Sequence, residues 1–123
     1  MNAQADQGSM LAPPMPVLLT LVVPATLAEN IADLLLETPE LAAGFTSSTA
    51  AGHGAGMRFE AASERVRGRG RRVRFELALD SEAAHALLGR LRESLASANV
   101  YYWICPMLEH GTLGAHAARG ARP

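Results

Sequence analysis

At 123 residues the chain is long enough for one domain with its own core. Hydrophobic residues make up 49% and charged residues 19%, which argues against disorder, and a formal net charge of −1 gives no global attraction to nucleic acid or an anionic membrane. One cysteine, Cys105, excludes an internal disulfide and a CxxC metal or redox site.

Residues 1–15 are polar, then rich in alanine and proline, and are expected to form a loose leader before a domain spanning residues 16–113. Residues 17–23 form a continuous apolar run of strand length, as in a central strand buried on both faces. The run is too short to span a bilayer, so no direct membrane insertion is expected. No basic residue precedes it, the first being Arg58, so it does not read as a secretory signal and the expected compartment is the cytoplasm. Pro24 ends this strand. Thr26 and Glu29 have the spacing of a capping box, which predicts a helix whose stripe is Leu27, Ile31, Leu34 and Leu35. Pro39 and Gly44 close that helix, and residues 45–51 read as strand two.

A long loop over residues 52–70 follows, opening on Gly52-His53-Gly54. Strand three alternates Val73, Phe75, Leu77 and Leu79 inward against Arg72, Arg74 and Glu76 outward. Ser81 is placed to cap a second helix with the stripe Ala84, Leu87, Leu88, Leu91 and Leu95. Residues 100–105 form the last strand, stopped by Pro106, and residues 114–123 read as a flexible tail. The order βαββαβ predicts an α+β, ferredoxin-like fold: a four-stranded antiparallel sheet with two helices on one face. Strands one and four are apolar on both sides, so the uncovered face is expected to pack against further copies of the chain.

Long loops inside a compact domain are usually functional. Seven of the eleven arginines fall between Arg58 and Arg74, so this loop has an electrostatic character as well. The cluster suits a phosphate, a carboxylate or an acidic partner surface, although Glu60, Glu64 and Glu76 dilute it towards an ordinary solvated loop. Glycines on both sides of His53 let a ligand approach the main chain, and the imidazole is a contact or metal ligand; the plain alternative is a turn. Cys105, Glu109, His110 and His116 form a third group, which with His53 of a neighbouring copy would make a soft transition-metal site. A lone strand cysteine also reads as a small apolar residue. Tyr101, Tyr102 and Trp103 read as sheet core or subunit interface before a ligand shelf. RNA recognition on this fold needs aromatics on the inner strands, and strand three presents Arg72, Arg74 and Glu76 instead, so no nucleic acid is expected. No paired acid and base, nucleophile elbow or phosphate-binding GxxxxGK[ST] motif is present, and an enzyme is not expected.

The strand order, the loop after strand two and Gly52-His53-Gly54 resemble the PII-like signalling proteins and their CutA-type relatives. Leu21-Val22-Val23-Pro24, Gly44-Phe45-Thr46-Ser47, Arg71-Arg72-Val73 and the run Tyr102-Trp103-Ile104-Cys105-Pro106-Met107-Leu108-Glu109 are similar to a proteobacterial PII-related family of unassigned function, often encoded beside heavy-metal efflux transporters. The resemblance covers residues 17–113. It implies a homotrimer with ligand clefts between subunits at the base of the 52–70 loop, and a loop that contacts a transporter or regulator. The implied ligand residues are Gly52, His53, Gly54, Arg71 and Arg72, and the implied ligand is an adenine nucleotide or a transition metal ion. The metal alternative, a metal-tolerance protein of CutA type, would use His53, Cys105 and His110. Residues 96–100, Ala-Ser-Ala-Asn-Val, lack the glycine-rich phosphate turn of PII proteins, so a nucleotide would need another cradle.

Overall fold

The computed structural model describes residues 15–53, 69–95 and 99–114. Four strands, β1 (Pro16–Pro24), β2 (Thr46–His53), β3 (Arg69–Asp80) and β4 (Tyr101–Pro106), form one antiparallel sheet in the order β2-β3-β1-β4. Helices α1 (Ala28–Leu36) and α2 (Ser81–Ser94) follow β1 and β3, and a 3-10 turn, Ala25–Leu27, leads into α1. The arrangement is the expected ferredoxin-like α+β fold.

β1 is central because nearly every residue in it is apolar and can be buried on both faces. It pairs with β3 from Pro16↔Asp80 to Pro24↔Arg72 and with β4 from Val17↔Pro106 to Val22↔Tyr101. One face carries Leu19, Leu21, Val23, Phe75, Leu77 and Leu79, all buried, packed against Ile31 and Leu35 of α1 and Ala84, Leu87, Leu88 and Leu91 of α2. The helix stripes read from a 3.6-residue period are the ones that pack.

Both helix starts differ from expectation. α1 starts one residue later than a cap at Thr26 predicts: the 3-10 turn takes up residues 25–27, and the N-cap position falls on Leu27, whose side chain makes no capping hydrogen bond. Pro24, at φ −58° and ψ 142°, sends the chain directly into that tight turn, which leaves Thr26 inside it rather than ahead of the helix. At α2 the cap is Asp80 and not Ser81: the Asp80 carboxylate accepts from the Ala83 N–H at 2.8 Å. β3 runs unbroken to Asp80, and the Ser81 N–H is already committed to the Met15 carbonyl at 2.9 Å, so Ser81 becomes the first helical residue.

The opposite face of the sheet carries Thr20, Val22, Arg74, Glu76, Tyr101, Trp103 and Cys105, and neither helix lies on it. Trp103 is 45% exposed there and Tyr101 40%. Thr20, at 1%, is buried between neighbouring strands, and its hydroxyl has no hydrogen-bond partner among the described residues.

Candidate functional site

β2 and β3 are longer than their sequence patterns suggest. Gly52 and His53 belong to β2, paired with Gly70 and Arg69 of β3, so both lie in the ladder rather than in the 52–70 loop assigned to them. Small residues with weak strand preference are carried into the sheet here because β3 continues past Val73 and supplies partners. The connection still begins and ends at this point. Gly54, Arg58, Arg65, Arg67 and His116 lie outside the described residues, as do the leader 1–14 and the tail from residue 115.

The period of two divides the expected ligand residues between the faces of the sheet. His53 and Arg71 stand on the face that bears the helices, diagonal to each other across the β2–β3 pair. Gly52, Gly70 and Arg72 stand on the other face. Arg72 is the clearest departure from the alternating pattern. It was expected in solvent with Arg74 and Glu76, yet it is 1% exposed. Its strand neighbours are Pro24 and Ala50, and Gly70 lies two residues before it, so no bulky side chain blocks the guanidinium from lying down along the sheet. Arg72 Nη1 donates to the Arg71 carbonyl at 3.1 Å.

Beside these residues lies a cleft of about 440 Å³ lined by Ala25, Thr26, Thr49, Ala50, Arg71, Arg72 and Val73. The 3-10 turn forms one wall and the β2–β3 pair forms the floor. Ala25, Thr26 and Thr49 were not expected as ligand residues: the turn after Pro24 brings the first two over β3, and pairing with Val73 places the third. Arg71, a threonine on either side and a largely apolar lining suit an anionic ligand with a less polar body, while the buried Arg72 guanidinium lies on the other face of the sheet. His53 is exposed at the open end of the same strand pair.

The proposed metal residues are scattered within one copy. Cys105 is exposed on β4, opposite Leu18, on the face without helices. His53 stands on β2, which is the other edge of the sheet, at the opposite end and on the opposite face. His110 is exposed in the segment after β4. Among the described residues no three His, Cys, Asp or Glu side chains are grouped to hold a metal ion. No described helix is long and apolar enough to cross a membrane.

A second cleft, of about 370 Å³, lies at the β4 edge beneath the end of α2, floored by Leu21, Leu88, Leu91, Leu95 and Val100. Arg92 sits over the Tyr102 ring at its rim, 6.0 Å from the ring centroid.

Residues 15–114 match the family described as "Protein of unknown function (DUF3240)". A DUF3240 family protein from Shewanella baltica OS155 is similar in structure at 25% identity and a TM-score of 0.66, over 82% of this chain and 99% of that one. CPII, a nitrogen regulatory PII-like protein from Thiomonas intermedia K12 solved with ADP, AMP and bicarbonate, aligns at 15% identity and a TM-score of 0.56, over 78% of this chain and 97% of that one. CutA from Synechococcus elongatus PCC7942, complexed with Bis-Tris, aligns at 15% identity and a TM-score of 0.59, over 86% and 90%. At such identities the last two establish the shared fold. No curated protein sequence matches the chain.

Proposed function

This chain belongs to the DUF3240 family, and we propose that it acts as a non-enzymatic, PII-like sensor that assembles as a homotrimer and binds a small anionic ligand at the Arg71–Arg72 cleft. The observation that carries this reading is the position of the cleft. Its lining residues Thr49, Ala50, Arg71 and Arg72 belong to the end of the β2–β3 ladder that leads through His53 and Arg69 into the connection between the strands, so occupancy would bias the conformation of that connection. Arg71 holds the anion, Thr26 and Thr49 supply hydroxyls, Arg72 braces the sheet beneath from its other face, and His53, exposed at the end of the same strand pair, is a further contact. A transporter or regulator then reads the connection. Support for a nucleotide or bicarbonate as ligand comes from CPII, which shares the fold and was solved with both.

The test is thermal unfolding of the purified protein against ATP, ADP, AMP, bicarbonate, Cu, Zn, Co and Ni. A ligand bound only by the folded state at roughly a hundred times its Kd adds about 2.7 kcal/mol. The expected result is a stabilising nucleotide or bicarbonate whose effect disappears in Arg71→Ala. Stabilisation by a metal alone, lost in His53→Ala or Cys105→Ser, would replace the sensor with a metal-binding protein. Turnover of any ligand would overturn the non-enzymatic part.

A further inference from the structure

The second cleft and the segment after β4 have complementary surfaces that one chain leaves unmatched. The cleft floor is aliphatic: Leu21, Leu88, Leu91, Leu95 and Val100. Tyr102 flanks it at 47% exposure, and the exposed Arg92 stands at its rim. Beyond Pro106, two leucines face solvent almost completely: Leu108 at 102% and Leu113 at 92%. Glu109, exposed, lies next to Leu108. Large apolar side chains held in water over a short segment mark an interaction surface.

We infer that residues 107–113 form an arm which seats Leu108 in the Leu88–Leu91–Leu95 cleft of a second copy and pairs Glu109 with that copy's Arg92. Three observations favour a second copy over the chain's own cleft. The arm leaves β4 at Pro106, which pairs with Val17, whereas the cleft lies beside Tyr102 and Leu21. Four strand residues separate these points, roughly 13 Å. Leu108 and Leu113 are almost fully exposed, so neither is packed against the described core of its own chain. β4 is an edge strand, so cleft and arm both sit on the border that a neighbouring copy can reach. An arm at one end and its receptor at the other make a head-to-tail contact, which closes into a ring when the rotation permits. The charges agree, an acid on the arm meeting a base at the rim. The inference shares with the sensor reading only the premise that copies assemble.

The test uses the full chain with Cys105→Ser, which removes the only thiol. Leu108→Cys and Leu95→Cys are made in separate preparations, mixed, allowed to exchange subunits and oxidised. The expected product is a covalent dimer of the two unlike chains, with none when Leu36→Cys, exposed on α1, replaces Leu95→Cys. Independently, Leu108→Ser with Leu113→Ser should weaken self-association by about tenfold or more in sedimentation, since each leucine loses its buried apolar area. The circular dichroism spectrum should not change. Unaltered association without the unlike-chain cross-link overturns the arm and leaves the Arg71 cleft untouched, because ligand-dependent stabilisation is read separately. In a further preparation carrying Leu108→Cys and Leu95→Cys in one chain, a cross-link that forms only within that chain also overturns it. A monomer at every concentration overturns the arm together with the trimer.

Discussion

The guanidinium of Arg72 lies over Gly70, with Nη1 3.0 Å and Cζ 3.2 Å from where a β-carbon on that glycine would stand. A side chain at residue 70 and a buried Arg72 therefore compete for one space, and the sheet resolves the competition by placing glycine at 70 and at its cross-strand partner, Gly52. The seat of Arg72, at the edge of the candidate ligand cleft, is thus made by what the neighbouring residues lack.

Gly70→Ala should consequently destabilise the fold by about 1–3 kcal/mol, the usual cost of overpacking a filled site. Combined with Arg72→Ala it should cost less than the sum of the two changes, with a coupling of about 0.5–3 kcal/mol. A double-mutant cycle by urea unfolding measures this directly. Strict additivity would mean that Arg72 leaves its seat at no cost.

The cap of α2 separates two adjacent residues cleanly. Asp80→Ala should cost about 1 kcal/mol, because it removes the acceptor for the Ala83 N–H. Ser81→Ala should stay within about 0.5 kcal/mol, since the bonded groups of Ser81 are its backbone N–H, held by Met15, and its carbonyl, beside His85 Nδ1. Chemical denaturation of the two variants in parallel checks the order.

Thr20→Val replaces a buried hydroxyl without a partner by a methyl of similar shape. Within the single chain this should stabilise by about 1 kcal/mol, the lower end of the cost of an unsatisfied buried polar group. Measured at increasing protein concentration, the variant also reports on assembly. A gain that reverses as copies associate would show that a neighbouring copy supplies the hydroxyl's partner.

Arg71→Ala should abolish ligand-dependent stabilisation while leaving the unliganded melting temperature within a few degrees, because this residue lines the cleft and is exposed. Binding of an anion probe should weaken as salt rises, as expected for a partly exposed charge contact. Titration calorimetry at two salt concentrations provides the measurement.

Strand order and helix faces were legible because they rest on periodicity: the unbroken apolar run of β1, the alternation of Val73 to Leu79, and the stripes Ile31–Leu35 and Ala84–Leu91. Boundaries were less so. Thr26 and Ser81 carry sound capping chemistry, yet a proline-directed turn and a strand that continues to Asp80 moved both helix starts by one residue, which no local pattern reveals. The site was legible in part. Arg71 and Arg72 were identified, but the burial of Arg72, and the walls made by Ala25, Thr26 and Thr49, depend on contacts between segments more than 20 residues apart.

The βαββαβ order, the apolar faces and the arginine-rich end of the sheet follow from residue type and spacing along the chain. That Gly52 and His53 complete a strand, that Arg72 is buried over Gly70, and that Cys105 stands far from His53 emerges only when the segments pack together. The physical reason is pairing. Register between β2 and β3 assigns each residue its face and its neighbours, and register is a property of two segments together that neither carries alone.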